Sequence, residues 1–171
     1  MSKHHKKKKT GLPPESLVYT GSTVVEKALA TVVCYNENHI SEKNIHNQNE
    51  PIDKNKIIWY DVRGLSDAKF VENVGQKFNI HPLALEDVLN TQQRSKWEEY
   101  DNGIFVVTRA FRFDLEKETF TTEQIAFWLC ENTVVSFQEN PDDSFISIRQ
   151  RLENPLGKMR QRGADYLLYS L

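Results

Sequence analysis

Three β-rich runs crowd the middle of the chain: GIFVVTRAFRFD (103–114), TEQIAFWLC (122–130) and TVVSFQE (133–139). β-Branched and aromatic residues suit a pleated, half-buried surface, so each run predicts a strand. Only Glu131 and Asn132 separate the last two. A two-residue connection between strands makes a tight hairpin, which commits the centre of the chain to antiparallel sheet. ALATVVCYNE (28–37) and IIWYDVRG (57–64) predict two further strands. Between and after them the period changes to that of helices. Ser66 is the expected cap of a helix that places Phe70, Val71, Val74 and Phe78 on one face. Asp142 or Asp143 is the expected cap of another, with Phe145, Ile148 and Leu152 on its buried side and Pro155 and Gly157 as its stop. The polar stretch 36–56 has no period and predicts a loop. GADYLLYSL opens a last apolar helical pattern with no stop signal, so a longer protein is expected.

At 171 residues with 39% hydrophobic content the chain can bury a core. No window approaches the ~20 apolar residues of a membrane span, and no apolar segment follows the charged N-terminus as in a signal peptide, so a soluble cytosolic body is expected. The net charge of −2 hides an asymmetry. Lys3, Lys6, Lys7, Lys8 and Lys9 precede any acid; setting these five aside leaves 17 basic against 24 acidic residues, a balance of −7. An acidic body argues against nucleic acid as a partner and suits cations. The tail, with His4 and His5, reads as a solvated charge run, attraction to anionic lipid being the second reading. Cys34 and Cys130 sit in apolar alternating runs and read as small buried hydrophobes.

HPLALEDVLN (81–90) poses the functional question. Pro82 suits the first helical position and His81 stands where a cap would be. At 100° per residue Ala84, Leu85, Val88 and Leu89 cover one side, which leaves Glu86, Asp87 and Asn90 on the other, facing outward. Such a pair can be a plain solvated acidic face favoured by the helix dipole. It is a poor acid–base pair, because adjacent helical residues diverge and do not face one substrate atom. His39, Glu42 and His46 have spacing that could contact a metal, but their stretch has no helical period and reads as solvated loop. No CxxC, P-loop or GxGxxG is present, and no catalytic constellation, so no enzyme is expected. Trp59, Trp97 and Trp128 read as core or interface residues. Arg149, Arg151, Arg160 and Arg162 read as solvated helix faces or ion pairs between subunits.

HPLALEDVLNTQQRSKWEEYDNGIF resembles the signature segment of the CorA-type magnesium transporters, in their cytosolic N-terminal domain. GLPPESLVYTG, WYDVRGL (59–65), EQIAFWL, VVSFQE, SIRQRL and GADYLLYSL agree in order. Ser95 stands where the family often has Pro, and the family's membrane part with its Gly-Met-Asn tripeptide is absent, so ion permeation is not expected in this chain. The resemblance implies an α+β fold: a mixed, largely antiparallel sheet with helices packed on both faces, ending at the start of a long helix. It implies a basic disordered tail (1–14), a regulatory domain (15–163) and the first turns of a helix leading to the membrane part (164–171). It also implies a homopentamer in a cell membrane, inner or plasma, with this domain on the cytoplasmic side. Glu86 and Asp87 match the family's regulatory metal positions, where divalent ions bind between neighbouring subunits. Mg²⁺ is the implied cofactor, with Co²⁺ or another divalent ion as the alternative, and further aspartates are supplied by the neighbour's long helix. The chain would carry half a site. A same-fold domain of a zinc transporter, or a free-standing soluble binding module, are the alternatives.

Overall fold

Seven strands pair into one sheet: β1 (Leu29–Tyr35), β2 (Ile40–Asn44), β3 (Ile57–Arg63), β4 (Lys96–Tyr100), β5 (Gly103–Asp114), β6 (Thr119–Cys130) and β7 (Thr133–Gln138). Their spatial order is β2-β1-β3-β7-β6-β5-β4. The pair β3–β7 is parallel and every other neighbouring pair is antiparallel. Among the described residues four helices accompany them: α1 (Ala68–Lys77), α2 (Pro82–Leu89), α3 (Ile146–Glu153) and α4 (Ala164–Ser170), with a 3₁₀ turn at Lys158–Gln161. This computed structural model describes residues 11, 13, 15–45, 53, 55–114, 118–155 and 157–171. The expected tail 1–14 lies outside them apart from Gly11 and Pro13, as do 46–52 and 54 of the expected loop. Among the described residues no helix is long and apolar enough to cross a membrane.

Alternation along the strands sends side chains into two cores. On one face Val32, Ile58, Tyr60, Val62, Phe105, Val107, Trp128, Val135 and Phe137 pack against Val71 and Val74 of α1 and Ala84, Leu85, Val88 and Leu89 of α2. On the other, Val33, Tyr35, Trp59, Ile125, Phe127 and Val134 meet Phe145, Ile148, Leu152, Met159, Ala164 and Leu167. β3 and β7 lie in the middle and are buried on both faces, which is why apolar residues take consecutive positions there, as in Ile57–Tyr60 and Val134–Val135, instead of alternating with polar ones. The hairpin turn is as expected: Cys130 pairs with Thr133, and Glu131 takes φ 48° to close it. α1 and α2 approach closely because α1 carries Gly75, where a Cβ would lie 2.1 Å from Leu85 Cδ1.

Several expectations are corrected. Asp67, not Ser66, caps α1, accepting the Phe70 N–H at 3.0 Å. The Ser66 hydroxyl instead accepts the Val25 N–H at 3.0 Å, since it faces the segment that enters the fold ahead of β1. Asp143 accepts the Phe145 N–H at 2.8 Å, holding the turn just ahead of α3 rather than the helix end itself. β2 lies within the supposed loop and β4 in a charged stretch, Lys-Trp-Glu-Glu-Tyr. Both are edge strands: backbone pairing defines them, while their side chains stay largely in solvent and carry no apolar period. Trp59 and Trp128 are core, but Trp97 on β4 is exposed. Cys34 and Cys130 are half-buried free thiols, and burial pushes both up in pKa.

Candidate metal site on the second helix

α2 starts where Pro82 takes the first helical position and His81 Nδ1 accepts the Leu83 N–H at 3.2 Å. The His81 ring stacks on Tyr100 of β4 with centroids 4.8 Å apart, which ties the start of the helix to the sheet edge. Four apolar residues anchor the inner side, with Ala84, Val88 and Leu89 fully inaccessible. The carboxylates are thereby fixed to a rigid element, as ligands need to be.

Glu86 and Asp87 lie on the outer side but are half-buried, not freely solvated. The Glu86 carboxylate accepts the N–H of Glu15, which sits at φ 68° in the segment that runs along α2. That segment is held further on, where the Thr20 N–H donates to the Leu89 carbonyl at 3.0 Å. Asp87 is more enclosed, its side chain 15% exposed. The Gln93 side-chain amide donates to Asp87 Oδ1, and Lys96 Nζ stands 2.6 Å from Oδ2. The same ammonium is 2.8 Å from Glu98 Oε1, and the Tyr100 hydroxyl donates to Glu98 Oε2 at 3.0 Å. The cause of the departure is β4: the strand that the sequence did not reveal carries Lys96, Glu98 and Tyr100 up beside the helix.

The electrostatics follow from these contacts. Burial pulls Lys96 down, but its bonds to Asp87 and Glu98 outweigh that and hold its pKa above the ordinary lysine value. Lys96 holds the Glu98 carboxyl below its usual range. Burial, then the bond to Glu98, pushes the Tyr100 hydroxyl up to about 12. The ammonium beside Asp87 shows that positive charge is accommodated at that oxygen. Hard carboxylate oxygens on a fixed helix suit Mg²⁺, which keeps several waters when few ligands are offered. Among the described residues no group of three or more His, Cys, Asp or Glu side chains could hold a metal. What α2 offers is two adjacent carboxylates, each already partnered within the chain.

The other candidates are not brought together. His39 is exposed at the β1–β2 turn, Glu42 is turned to Arg149 Nη1 at 3.2 Å, and His46 lies outside the described residues. A half-open cleft of about 760 Å³ beside the start of α3 is lined in part by Glu123, Asp142 and Asp143. Glu123 accepts the Asn140 N–H and Asp143 is bound to Arg149.

A second polar network, missed in the sequence reading, lies on the opposite face. Asp61, fully buried in β3, accepts from Ser136 Oγ at 2.6 Å, Gln138 Nε2 at 2.8 Å and Arg149 Nη2 at 2.7 Å. Trp59 Nε1 donates to Ser136 Oγ at 2.9 Å, and the Arg149 guanidinium lies 4.3 Å from the Trp59 ring centroid. Burial pushes the Asp61 carboxyl up, while Ser136, Arg149, Arg63 and Gln138 pull it back. Arg149 is therefore a clamp inside one chain and not a solvated face. Arg160 is buried too, closing the end of α3 by donating to the carbonyls of Leu152 and Glu153. Its carbonyl partners are backbone groups that the helix leaves unpaired. A signal was available: Asp61 and Arg63, two apart in an apolar strand, must share one face.

The model of the family "CorA-like Mg2+ transporter protein" matches residues 54–171. The chain is 37% identical over 166 residues to the cobalt/magnesium transport protein CorA of Thermotoga maritima, covering 95% of this chain and 47% of that protein. It thus spans about half the length of that relative. Among solved structures, the soluble domain of CorA from Methanocaldococcus jannaschii superposes with a TM-score of 0.62 at 15% identity, covering 86% of this chain and 55% of that one. The full-length CmaX protein gives a TM-score of 0.66 at 14% identity over 86% of this chain and 45% of its own. At these identities the two structures speak for the fold, the mixed sheet with its helices.

Proposed function

The chain belongs to the CorA-like Mg²⁺ transporter family, and from that premise we propose that it is the cytosolic regulatory domain of a divalent-cation channel or transporter, gated by Mg²⁺ held between subunits. The observation that carries this reading is the placing of Glu86 and Asp87: adjacent carboxylates on the outer side of a helix whose inner side is locked into the core. An ion held by one or two carboxylates and several waters binds weakly. Weak binding suits a sensor of an abundant ion, and ligands from a neighbouring subunit would complete the set. Bound Mg²⁺ offsets repulsion between acids facing across the seam and favours the closed arrangement; its loss shifts the population toward open states.

In this reading 15–163 is the sensing domain, 164–171 begins a helix leading to a membrane part, and 1–14 is a basic tail on the cytoplasmic side. The assembly is a homopentamer in the cell membrane. The name of the Thermotoga relative supports Co²⁺ beside Mg²⁺ as an ion of the whole protein. The test is flux through the full-length protein in liposomes at several internal Mg²⁺ concentrations. With Glu86→Gln and Asp87→Asn together, inhibition should need more Mg²⁺ or become shallower, because neutral amides are poorer ligands. Unchanged inhibition in a normally folded variant overturns the proposal and leaves the pair a surface feature of α2.

A further inference from the structure

Lys96 bridges two carboxylates, with Nζ 2.6 Å from Asp87 Oδ2 and 2.8 Å from Glu98 Oε1. We infer that Lys96 is a tethered competitor of the divalent ion: it occupies Asp87 when the ion is absent, withdraws onto Glu98 when the ion binds, and so sets the concentration at which the site fills. The inference rests on the proposal that Glu86 and Asp87 hold the ion.

The geometry supplies each part of such an exchange. A lysine is a compact charge on a flexible stem with three rotatable donors, so it can release one acceptor while keeping another. Its fallback is already in place, because the Tyr100 hydroxyl donates to the far oxygen of Glu98 and fixes that carboxylate. Asp87 stays put during the exchange: Gln93 holds its other oxygen, and the Asp87 backbone carbonyl accepts from Gln124 Nε2 at 3.1 Å. Gln93 is itself positioned by its N–H to Gln124 Oε1 at 3.0 Å and by Arg109 Nη2 on its carbonyl at 3.0 Å. The Lys96 side chain is 31% exposed, which leaves a route for water and ion to the Asp87 oxygen. An arginine in the same place would fork rigidly onto the carboxylate and exchange less readily.

The test uses the 171-residue chain, with Mg²⁺ titrated to tens of millimolar and binding read from backbone and side-chain NMR shifts. Lys96→Met should tighten Mg²⁺ binding at Asp87 roughly three- to tenfold, the scale of one half-buried ion pair. Lys96→Gln gives the same sign and serves if the Met variant folds poorly, while Lys96→Arg, which exchanges less readily, should bind Mg²⁺ more weakly than the wild type. Glu98→Gln removes the fallback and should weaken binding, opposite in sign to Lys96→Met, which a merely structural role for the cluster would not produce. In the wild type, Lys96 and Glu98 side-chain signals should move together with those of Asp87. Equal affinity in the wild type and Lys96→Met, with binding still abolished by Asp87→Asn, overturns the competitor role and keeps the metal site. No Mg²⁺-dependent shift near Asp87 in any variant overturns the competitor role, while the flux test on the full-length protein decides the metal site that neighbouring subunits would complete.

Discussion

Two acid–base networks flank the same sheet, and they differ in what surrounds them. Asp61 on one face is fully buried and meets Arg149, Arg63, Ser136 and Gln138. Asp87 on the other meets Lys96 and Gln93 at an edge strand, with a partner that is 31% exposed. A buried charge must be matched by fixed donors, because an uncompensated one is very costly; the Asp61 network is therefore a structural clamp joining α3 to β3 and β7. A charge at the rim can change partners, since water replaces what leaves. Similar chemistry thus yields a lock in one place and an exchangeable site in the other, and exposure decides which.

The largest expected effect breaks the lock. Asp61→Ala removes the fully buried acid shared by Arg149 and Arg63, leaving them Asp143 and, for Arg149, Glu42, and should cost about 3–5 kcal/mol in urea unfolding. A loss under ~1 kcal/mol would mean that water reaches Asp61 and that the contrast between the faces is false. Next comes the packing that presents the exchangeable site. Gly75→Ala forces a methyl against Leu85 and should lower stability by about 1–3 kcal/mol on thermal melting, through the seat of α2. Changes at the rim should be smaller still: Asp87→Asn up to about 1 kcal/mol, from its ion pair with Lys96, and Glu86→Gln within about 0.5 kcal/mol. A collapse in either would place these residues in the lock class.

The smallest effect is one of pH. The folded pKa of Glu98 is depressed by Lys96, so the pair stabilises the fold above the ordinary glutamate value of about 4.3 and loses that contribution as pH falls through the folded value. Glu98→Gln should flatten this part of the acid limb in melts taken from pH 6 downward. An unchanged limb would mean that the Lys96–Glu98 contact does not persist in solution.

How much of this could be read from the residues follows the same division. Central strands and helices were legible because burial imposes a period: β5 matches its run at 103–114, and Ala84, Leu85, Val88 and Leu89 fall inside as spaced. Edge strands β2 and β4 were not, because backbone pairing defines them and their largely polar side chains show no apolar alternation. The carboxylate pair was visible as a motif, but its setting was not. Lys96 reaches Asp87 only because β4 folds back along β5, a long-range fact absent from local spacing. The Asp61 clamp was hidden likewise, because apart from Arg63 its partners lie 75 to 88 residues away along the chain.

Hydrogen exchange at the amides of α2 in the full-length protein, with and without millimolar Mg²⁺, reaches the central claim most directly. If the ion is held at Glu86 and Asp87, Mg²⁺ should slow exchange across residues 84–90 and in β4, the slowing should vanish in Asp87→Asn, and the strands around Asp61 should not respond. Identical Mg²⁺ protection in the wild type and Asp87→Asn would contradict the account.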